Sequence, residues 1–344
     1  MQNVLVFVCD ALRADTNAFD WLHKGSVVYQ NAWATGGATI PSFFSIWTGL
    51  LPEEHGAVKF QSFPSAPGLD QLAREAGYNT LVVTENPWTR GIGACVDASQ
   101  DRLRGAGFDY ILENLPPEPW FVFYHNMGVH APYLGMPESP DMLRNQHHRQ
   151  PDTDRLRAAY DASVKDVSGR LRRFLKEIPE CVTLFTSDHG EAFGEHGFHG
   201  HISDRHFTEL MHVPLVVHDG KRKYTVKDPV SIVETHRILE SLMKGQRARP
   251  TSVFCRGHAD NYEYPVWSVR HHDWVVVYGE AIPDMWFDLE NDPGMLTVLS
   301  EEDVPAEVSA KVWPQMWRPL SQGTAYTMED EQQVEDRLRS LGYV

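Results

Sequence analysis

Ser187-Asp188-His189-Gly190-Glu191-Ala192-Phe193-Gly194-Glu195-His196-Gly197-Phe198-His199-Gly200-His201 follows the apolar run Val182-Thr183-Leu184-Phe185-Thr186. The run predicts a buried strand with an Asp-His pair at its C-terminal end, and four glycines behind the pair let the chain turn tightly. Ligands of open α/β sheets collect at that edge. Adjacent side chains on a strand point to opposite faces, so Asp188 and His189 can meet at one ion only past the strand end. The pair offers metal-ligand chemistry, although a merely solvated histidine-rich loop has the same composition.

The N-terminus supplies a second half. Asn3-Val4-Leu5-Val6-Phe7-Val8-Cys9 reads as a fully buried strand, with Asp10 directly after it and Arg13 one turn further on. Two carboxylates and an imidazole on one sheet edge suit a divalent cation, while the plain alternative makes Asp10 a helix N-cap before Ala11. A third piece is Thr39-Ile40-Pro41-Ser42-Phe43-Phe44-Ser45-Ile46-Trp47-Thr48-Gly49, followed by Pro52 and His55-Gly56. Pro41 fits the first position of a helix that Gly49 ends. Thr39 then stands at the helix entrance, either as a cap or where free amides and the dipole favour an anion.

These segments, in this order, resemble the sulfatase family of the alkaline phosphatase superfamily, and the resemblance spans essentially the whole chain. Thr39, Pro41, Ser42, Thr48-Gly49 and His55-Gly56 match the frame of its nucleophile motif. Gly77-Tyr78-Asn79-Thr80 is similar to its entry to the next strand, and His125 to Tyr133 to its His-x-Pro segment. Asp288 to Pro293 and the closing Arg337 to Tyr343 resemble its C-terminal signatures. The resemblance implies an ester hydrolase with Asp10, Thr39, Asp188 and His189 around one divalent ion. Such a shell is mostly oxygen with one imidazole, and suits Mn²⁺, Mg²⁺ or Ca²⁺, with Zn²⁺ admissible. It further implies Thr39 as nucleophile, His130 and His201 as proton donors, and Asn86, His125 and Arg13 as substrate-binding residues. The bland alternative for both His130 and His201 is hydrogen bonding behind the site or plain packing.

The departures redirect the chemistry. Family sulfatases convert a Cys or Ser at the nucleophile position to formylglycine. Threonine cannot be converted, because its β-carbon carries a methyl group. The motif's Arg is Phe43, the second Asp of the family's Asp-Asp pair is Ala11, and Thr84-Glu85-Asn86-Pro87 lacks the expected Lys. A threonine resembles instead the phosphodiesterases, phosphonate monoesterase relatives and phosphoglycerol transferases of the superfamily. Asn126 stands four residues before His130, where two-metal members carry Asp; an amide is the poorer ligand, which favours one metal. Three activities stay open: phosphoester or phosphonate hydrolase, phosphoryl transferase through the same intermediate, and a degenerate member that binds a sulfated or phosphorylated ligand.

The 344 residues carry a formal net charge of −16, and nine of the 31 basic residues are Lys. That balance argues against nucleic-acid binding, which draws its affinity largely from Lys and Arg. An anionic small-molecule, lipid or glycan ester would have to be attracted locally, by the metal and histidines. Cys9, Cys95, Cys181 and Cys255 read as buried thiols, and with no apolar run of about 18 residues the chain is expected to be cytoplasmic without a membrane span.

Strand-like runs at Asn3–Cys9, Thr80–Thr84, Trp120–Tyr124, Val182–Thr186 and Val213–Val217 alternate with helical patterns at Gly68–Ala76, Arg155–Glu177 and Ile232–Met243. The expected fold is α/β, a mostly parallel sheet with helices on both faces. Residues 1–245 would form the catalytic domain and 246–344 a small C-terminal α+β subdomain packed on it. That subdomain would hold short strands at Pro265–Arg270, Trp274–Tyr278 and Met285–Asp288 and a closing helix at Glu331–Leu341. His147-His148, in a polar excursion, reads as solvated.

Overall fold

A computed structural model describes residues 1–58, 62–96, 106–136, 152–246, 254–260, 265–279, 282–316 and 324–325. The sequence run Asn3–Cys9 forms β1, buried at every residue because strands flank it on both sides and helices cover both faces. The other strands of its sheet are β2 (Ser26–Trp33), β3 (Asn79–Thr84), β4 (Ala94–Cys95), β5 (Trp120–Asn126), β6 (Cys181–Thr186), β7 (His212–His218) and β8 (Tyr224–Ser231). Their spatial order is β8-β2-β7-β6-β1-β5-β3-β4. Only β7 runs against the rest, antiparallel to both β2 and β6.

Alternation along β1 divides the core. Val4, Val6 and Val8 pack on one face with helix α1 (Thr39–Thr48), α2 (Leu69–Glu75) and α5 (Glu234–Met243). Leu5, Phe7 and Cys9 pack on the other with α3 (Ala106–Asn114) and α4 (Thr153–Glu177). The 25-residue α4 starts where Asp152 accepts a hydrogen bond from Arg155 N, an ordinary N-cap. Its Leu156, Tyr160, Val164, Val167 and Leu171 supply the buried stripe at helical spacing.

Register positions the site. Val8 lies opposite both His125 and Thr186, and Cys9 lies opposite Asn126. Asp10, His125 and Asp188 therefore emerge at one edge of the central strands. On the far side of β5, Thr84 lies opposite His125, which brings Asn86 to the same edge.

A separate antiparallel sheet comprises β9 (Phe254–Asp260), β10 (Pro265–His271), β11 (Trp274–Gly279) and β12 (Met285–Asp288). Val266, Val275, Val277 and Phe287 join the α1-side core, while Trp267, Val269, Val276 and Trp286 pack against Val304 and Val312. The sequence reading had not included β2, β8 and β9 as strands. The expected helix at Glu331–Leu341, the Arg337 to Tyr343 segment and His147-His148 lie outside the described residues. All four cysteines are free thiols, but Cys95 is exposed and Cys181 half-buried. The expectation of uniformly buried thiols is corrected there, because β4 is the two-residue edge of the sheet.

Candidate active site

Strand ends supply most of the site. Asp10 leaves β1, His125 lies near the end of β5, Asn86 follows β3, and Asp188-His189 follow β6. No helix begins at Ala11, which turns with φ of 60°; the N-cap alternative for Asp10 is gone. Helix α1 starts at Thr39, two residues before the proline rule places it, and Ala38 is its cap. The Thr39 hydroxyl is thus not used as a cap. It lies 3.4 Å from Asp10 Oδ2 and 3.4 Å from His189 Nε2. His55 braces the helix behind it, with Nε2 3.2 Å from both Pro41 O and Ser45 Oγ.

Hydrogen bonds aim the ligand atoms. Asp188 Oδ1 accepts from His189 N at 2.9 Å and Ala11 N at 3.3 Å, which leaves Oδ2 for the site. Ser187 Oγ accepts from Leu12 N at 2.9 Å and lies 2.6 Å from Cys9 O, tying the two strand ends together. His189 Nδ1 donates to Gly190 O at 2.8 Å, so its Nε2 carries the free lone pair. Asp10 Oδ1, Asp188 Oδ2 and His125 Nε2 are fully buried and lack a hydrogen-bond partner among the described residues. One ligand atom from each of Asp10, His125 and Asp188 falls within 4.8 Å of the others. Leaving such polar atoms unpaired is costly, and a divalent cation among them removes the cost. The donor set fits one.

His125 had been assigned to substrate; the structure instead sets its Nε2 3.1 Å from Asp10 Oδ2 and 3.7 Å from Asp188 Oδ2. Phe43, in the slot of the family's Arg, stacks on that imidazole at 4.4 Å between ring centres. Asn86 likewise serves the carboxylate: Nδ2 donates to Asp10 Oδ2 at 2.8 Å, and Oδ1 accepts from Trp88 N. Arg13 is committed elsewhere. Its guanidinium pairs with Asp15 at 2.8 Å and Glu195 at 2.7 Å and donates to the Glu191 carbonyl. These contacts make it a brace for the Glu191 loop rather than a free cation for substrate. Asn126 is also committed, donating to Glu85 Oε2 and Tyr124 while accepting from Gly128 N.

His130 and His201 do reach the centre. The His201 ring lies 4.4 Å from that of His189 and 4.8 Å from that of His130. Burial alone would lower the His201 pKa, but the Glu191 carboxylate, 3.0 Å from Nδ1, pushes it up to about 9. Burial holds His130 below its usual value. Burial would raise the Asp10 carboxyl, yet His130, His125 and His189 hold it well below the usual range. His125, despite burial, is pushed up to about 9 by Asp10 and Asp188.

Two buried acids that shape the candidate site had no role in the sequence reading. Glu191 is fully buried and accepts from His201 through Oε1 and from Tyr133 OH through Oε2 at 2.9 Å. Its place inside the Asp-His loop was the available signal. Glu85, also buried, accepts from Tyr124 OH, Asn126 Nδ2, Met127 N and Gly107 N, and fastens β3 to the end of β5. A Glu directly after a strand resembles any surface turn, so no sequence signal marked it.

Residues 8–243 match the sulfatase family. The chain belongs to the sulfatase family. A curated relative, the low-salt glycan biosynthesis sulfotransferase Agl7 of Haloferax volcanii, is 27% identical over 205 residues, 57% of this chain and 48% of the relative. The sulfatase-family chain thus spans about half the length of that protein. Its fold is similar to that of the phosphonate monoester hydrolase of Agrobacterium radiobacter, with TM-score 0.69, 16% identity, and coverage of 92% of this chain and 95% of the other. A 2-O GAG sulfatase shares the fold with TM-score 0.70 and 16% identity, over 99% and 93% of the two chains.

Proposed function

We propose that this sulfatase-family chain cleaves an anionic phosphoric, phosphonic or sulfuric ester of a small molecule, lipid or glycan, with Thr39 as nucleophile and one divalent ion bound. Residues 1–245 carry the chemistry, and the described strands between Phe254 and Asp288 belong to a smaller subdomain against them. The observation that carries the reading is the Thr39 hydroxyl, released from capping and held 3.4 Å from both Asp10 and His189.

When bound, the ion activates the hydroxyl and offsets charge on the ester's nonbridging oxygen. Thr39 gives up its hydroxyl proton to solvent and attacks phosphorus through Oγ1, the bond to the leaving oxygen breaks, and that oxygen takes a proton from His201 or His130. Glu191 holds His201 by Nδ1, which keeps Nε2 for this transfer. Water then attacks phosphorus in the Thr39 ester and frees the hydroxyl. A formylglycine hydrate expels sulfate by breaking its own C–O bond; threonine has no such exit. A Thr39 sulfate ester would need attack at sulfur, so phosphorus esters are the favoured substrates.

A second reading has one observation behind it. The curated relative bears the name of a sulfotransferase, and transfer needs only an acceptor alcohol in place of water at the Thr39 ester.

Purified protein with Mn²⁺ or Zn²⁺ tests both readings on aryl phosphodiesters, phosphonate monoesters and aryl sulfates. Many turnovers on a phosphorus ester, with at most one on sulfate, are expected. Sustained aryl sulfate hydrolysis faster than every phosphorus ester restores a plain sulfatase. Release of the aryl alcohol from the sulfate ester that requires an added glycan alcohol, with the sulfated glycan as the second product, establishes transfer.

A further inference from the structure

We infer that Tyr160 is a positioning residue for the site: its hydroxyl clamps the left-handed turn at Ala11 and thereby aims the Asp10 and Asp188 carboxylates. The inference deepens the reading above and rests on it for the use made of those carboxylates.

Ala11 has φ of 60°, a conformation that crowds its β-carbon against the following carbonyl and that glycine adopts freely. A residue strained in this way persists only where its surroundings over-determine it. Two strand ends supply part of the restraint. Asp10 N donates to Asn126 O at 2.9 Å, at the end of β5. Past β6, Asp188 Oδ1 accepts from Ala11 N at 3.3 Å and Ser187 Oγ from Leu12 N at 2.9 Å. The rest comes from helix α4. The Tyr160 hydroxyl donates to Ala11 O at 3.0 Å and accepts from Arg13 N at 2.9 Å. One oxygen therefore closes the turn on its carbonyl side while Asp188 holds its amide side.

The ring is itself locked. It is fully buried, edge-on to Tyr133 and Phe193 at 5.7 Å and 4.9 Å between ring centres, with the Arg157 guanidinium 5.8 Å from its centre. Burial also pushes the phenol pKa well up, which keeps the hydroxyl a donor.

The effect on the site passes through the peptide planes. Asp10 enters the turn, and the Ala11 amide occupies Asp188 Oδ1. A turn that relaxes to negative φ swings this amide off Asp188 and carries the Asp10 side chain with it. Phenylalanine fills the space of Tyr160 but can make neither hydrogen bond. Further along α4, Ser168 Oγ donates to Ala18 O at 2.5 Å and accepts from Trp21 Nε1 at 2.8 Å. It pins the same segment beyond the turn, so its loss measures what mere docking of α4 contributes.

The test compares wild type, Tyr160→Phe, Ser168→Ala, Ala11→Gly and the double variant Tyr160→Phe with Ala11→Gly. Each is stripped of metal and titrated with Mn²⁺, the free ion being counted by electron paramagnetic resonance. Tyr160→Phe should weaken Mn²⁺ about 10–100-fold, and Ser168→Ala less than about twofold. The double variant should bind within about threefold of Ala11→Gly alone, because glycine keeps the turn without the clamp. Equal losses in Tyr160→Phe and Ser168→Ala, or a loss as large with Ala11→Gly as without it, overturn the inference. A crystal structure of metal-free Tyr160→Phe decides the same point without an ion. Ala11 should have left positive φ and its N–H should have left Asp188 Oδ1; an unmoved turn overturns the clamp. Neither readout uses an ester. A wild type that binds no Mn²⁺ or hydrolyses nothing sinks the reading above and leaves the crystal structure to judge Tyr160.

Discussion

At the scale of single residues, the site is a set of commitments, and each side chain's partners decide what it can do. The Thr39 hydroxyl lies 3.4 Å from both Asp10 and His189, so Thr39→Ala should remove turnover beyond about 10⁴-fold while leaving the thermal melt unchanged. His130→Ala and His201→Ala remove only proton transfer and should cost about 10²–10⁴-fold. Initial rates on one phosphodiester, with circular dichroism of each variant, check the ranking; near wild-type turnover in Thr39→Ala would mean that water attacks directly. The position of Asp10, Asp188 and His189 at one sheet edge was legible because each stands within three residues of the end of an apolar run, a pattern visible in one dimension. The roles of Asn86, His125 and Arg13 were not. Each depends on a partner 70 or more residues away, or on which neighbouring acid wins. His125 meets Asp10 and Asp188 across two strand pairings, and Arg13 meets Glu195 across 182 residues.

At the scale of elements, the strands that sequence revealed are those buried on both faces. Their apolar runs are nearly continuous. The strand β8, Tyr224–Ser231, escaped because it is an edge strand with Lys227, Asp228 and Pro229 at its centre, and its pairing slips between Val226 and Pro229. Proline belongs on such edges, but in a bare sequence it argues against a strand. Helix α1 shows the opposite case, where the boundary signals were read two residues late at one end and correctly at the other. Gly49 ends it at φ of 72°, donating its N–H to Ser45 O. A β-carbon there would meet His236 at 2.6 Å, in addition to the left-handed backbone penalty of roughly 1–2 kcal/mol. Gly49→Ala should therefore destabilise the fold by more than about 1 kcal/mol in urea titration. Because α1 carries Thr39 at its far end, kcat should fall with stability while metal affinity holds; an unchanged urea midpoint would show that the helix end relaxes freely.

For the whole molecule, the histidines outside the active site set the response to acid. Burial lowers the pKa of His55 to about 4 and of His258 to about 4; burial and the nearby His258 lower that of His206 to about 3. In the unfolded chain each titrates near 6.5. Between pH 6.5 and 4 the unfolded state therefore binds more protons than the folded one, so stability must rise with pH across this window. Equivalently, the contribution is complete above about pH 6.5 and is lost as pH falls toward the folded values. The net charge of −16 opposes this trend, since acid relieves self-repulsion, and salt near 1 M screens that repulsion to a Debye length of about 3 Å. His125 and His201, pushed up to about 9, favour the folded state on acidification above pH 6.5, so in high salt the urea midpoint should fall steadily only from pH 6.5 to pH 5. His206→Gln, which can keep a hydrogen bond to Ser268 now made by Nδ1 at 2.9 Å, should flatten the slope by about one proton's worth. A midpoint that rises as pH falls through that window, in high salt and in the wild type, would mean that His55, His206 and His258 are protonated in the folded chain.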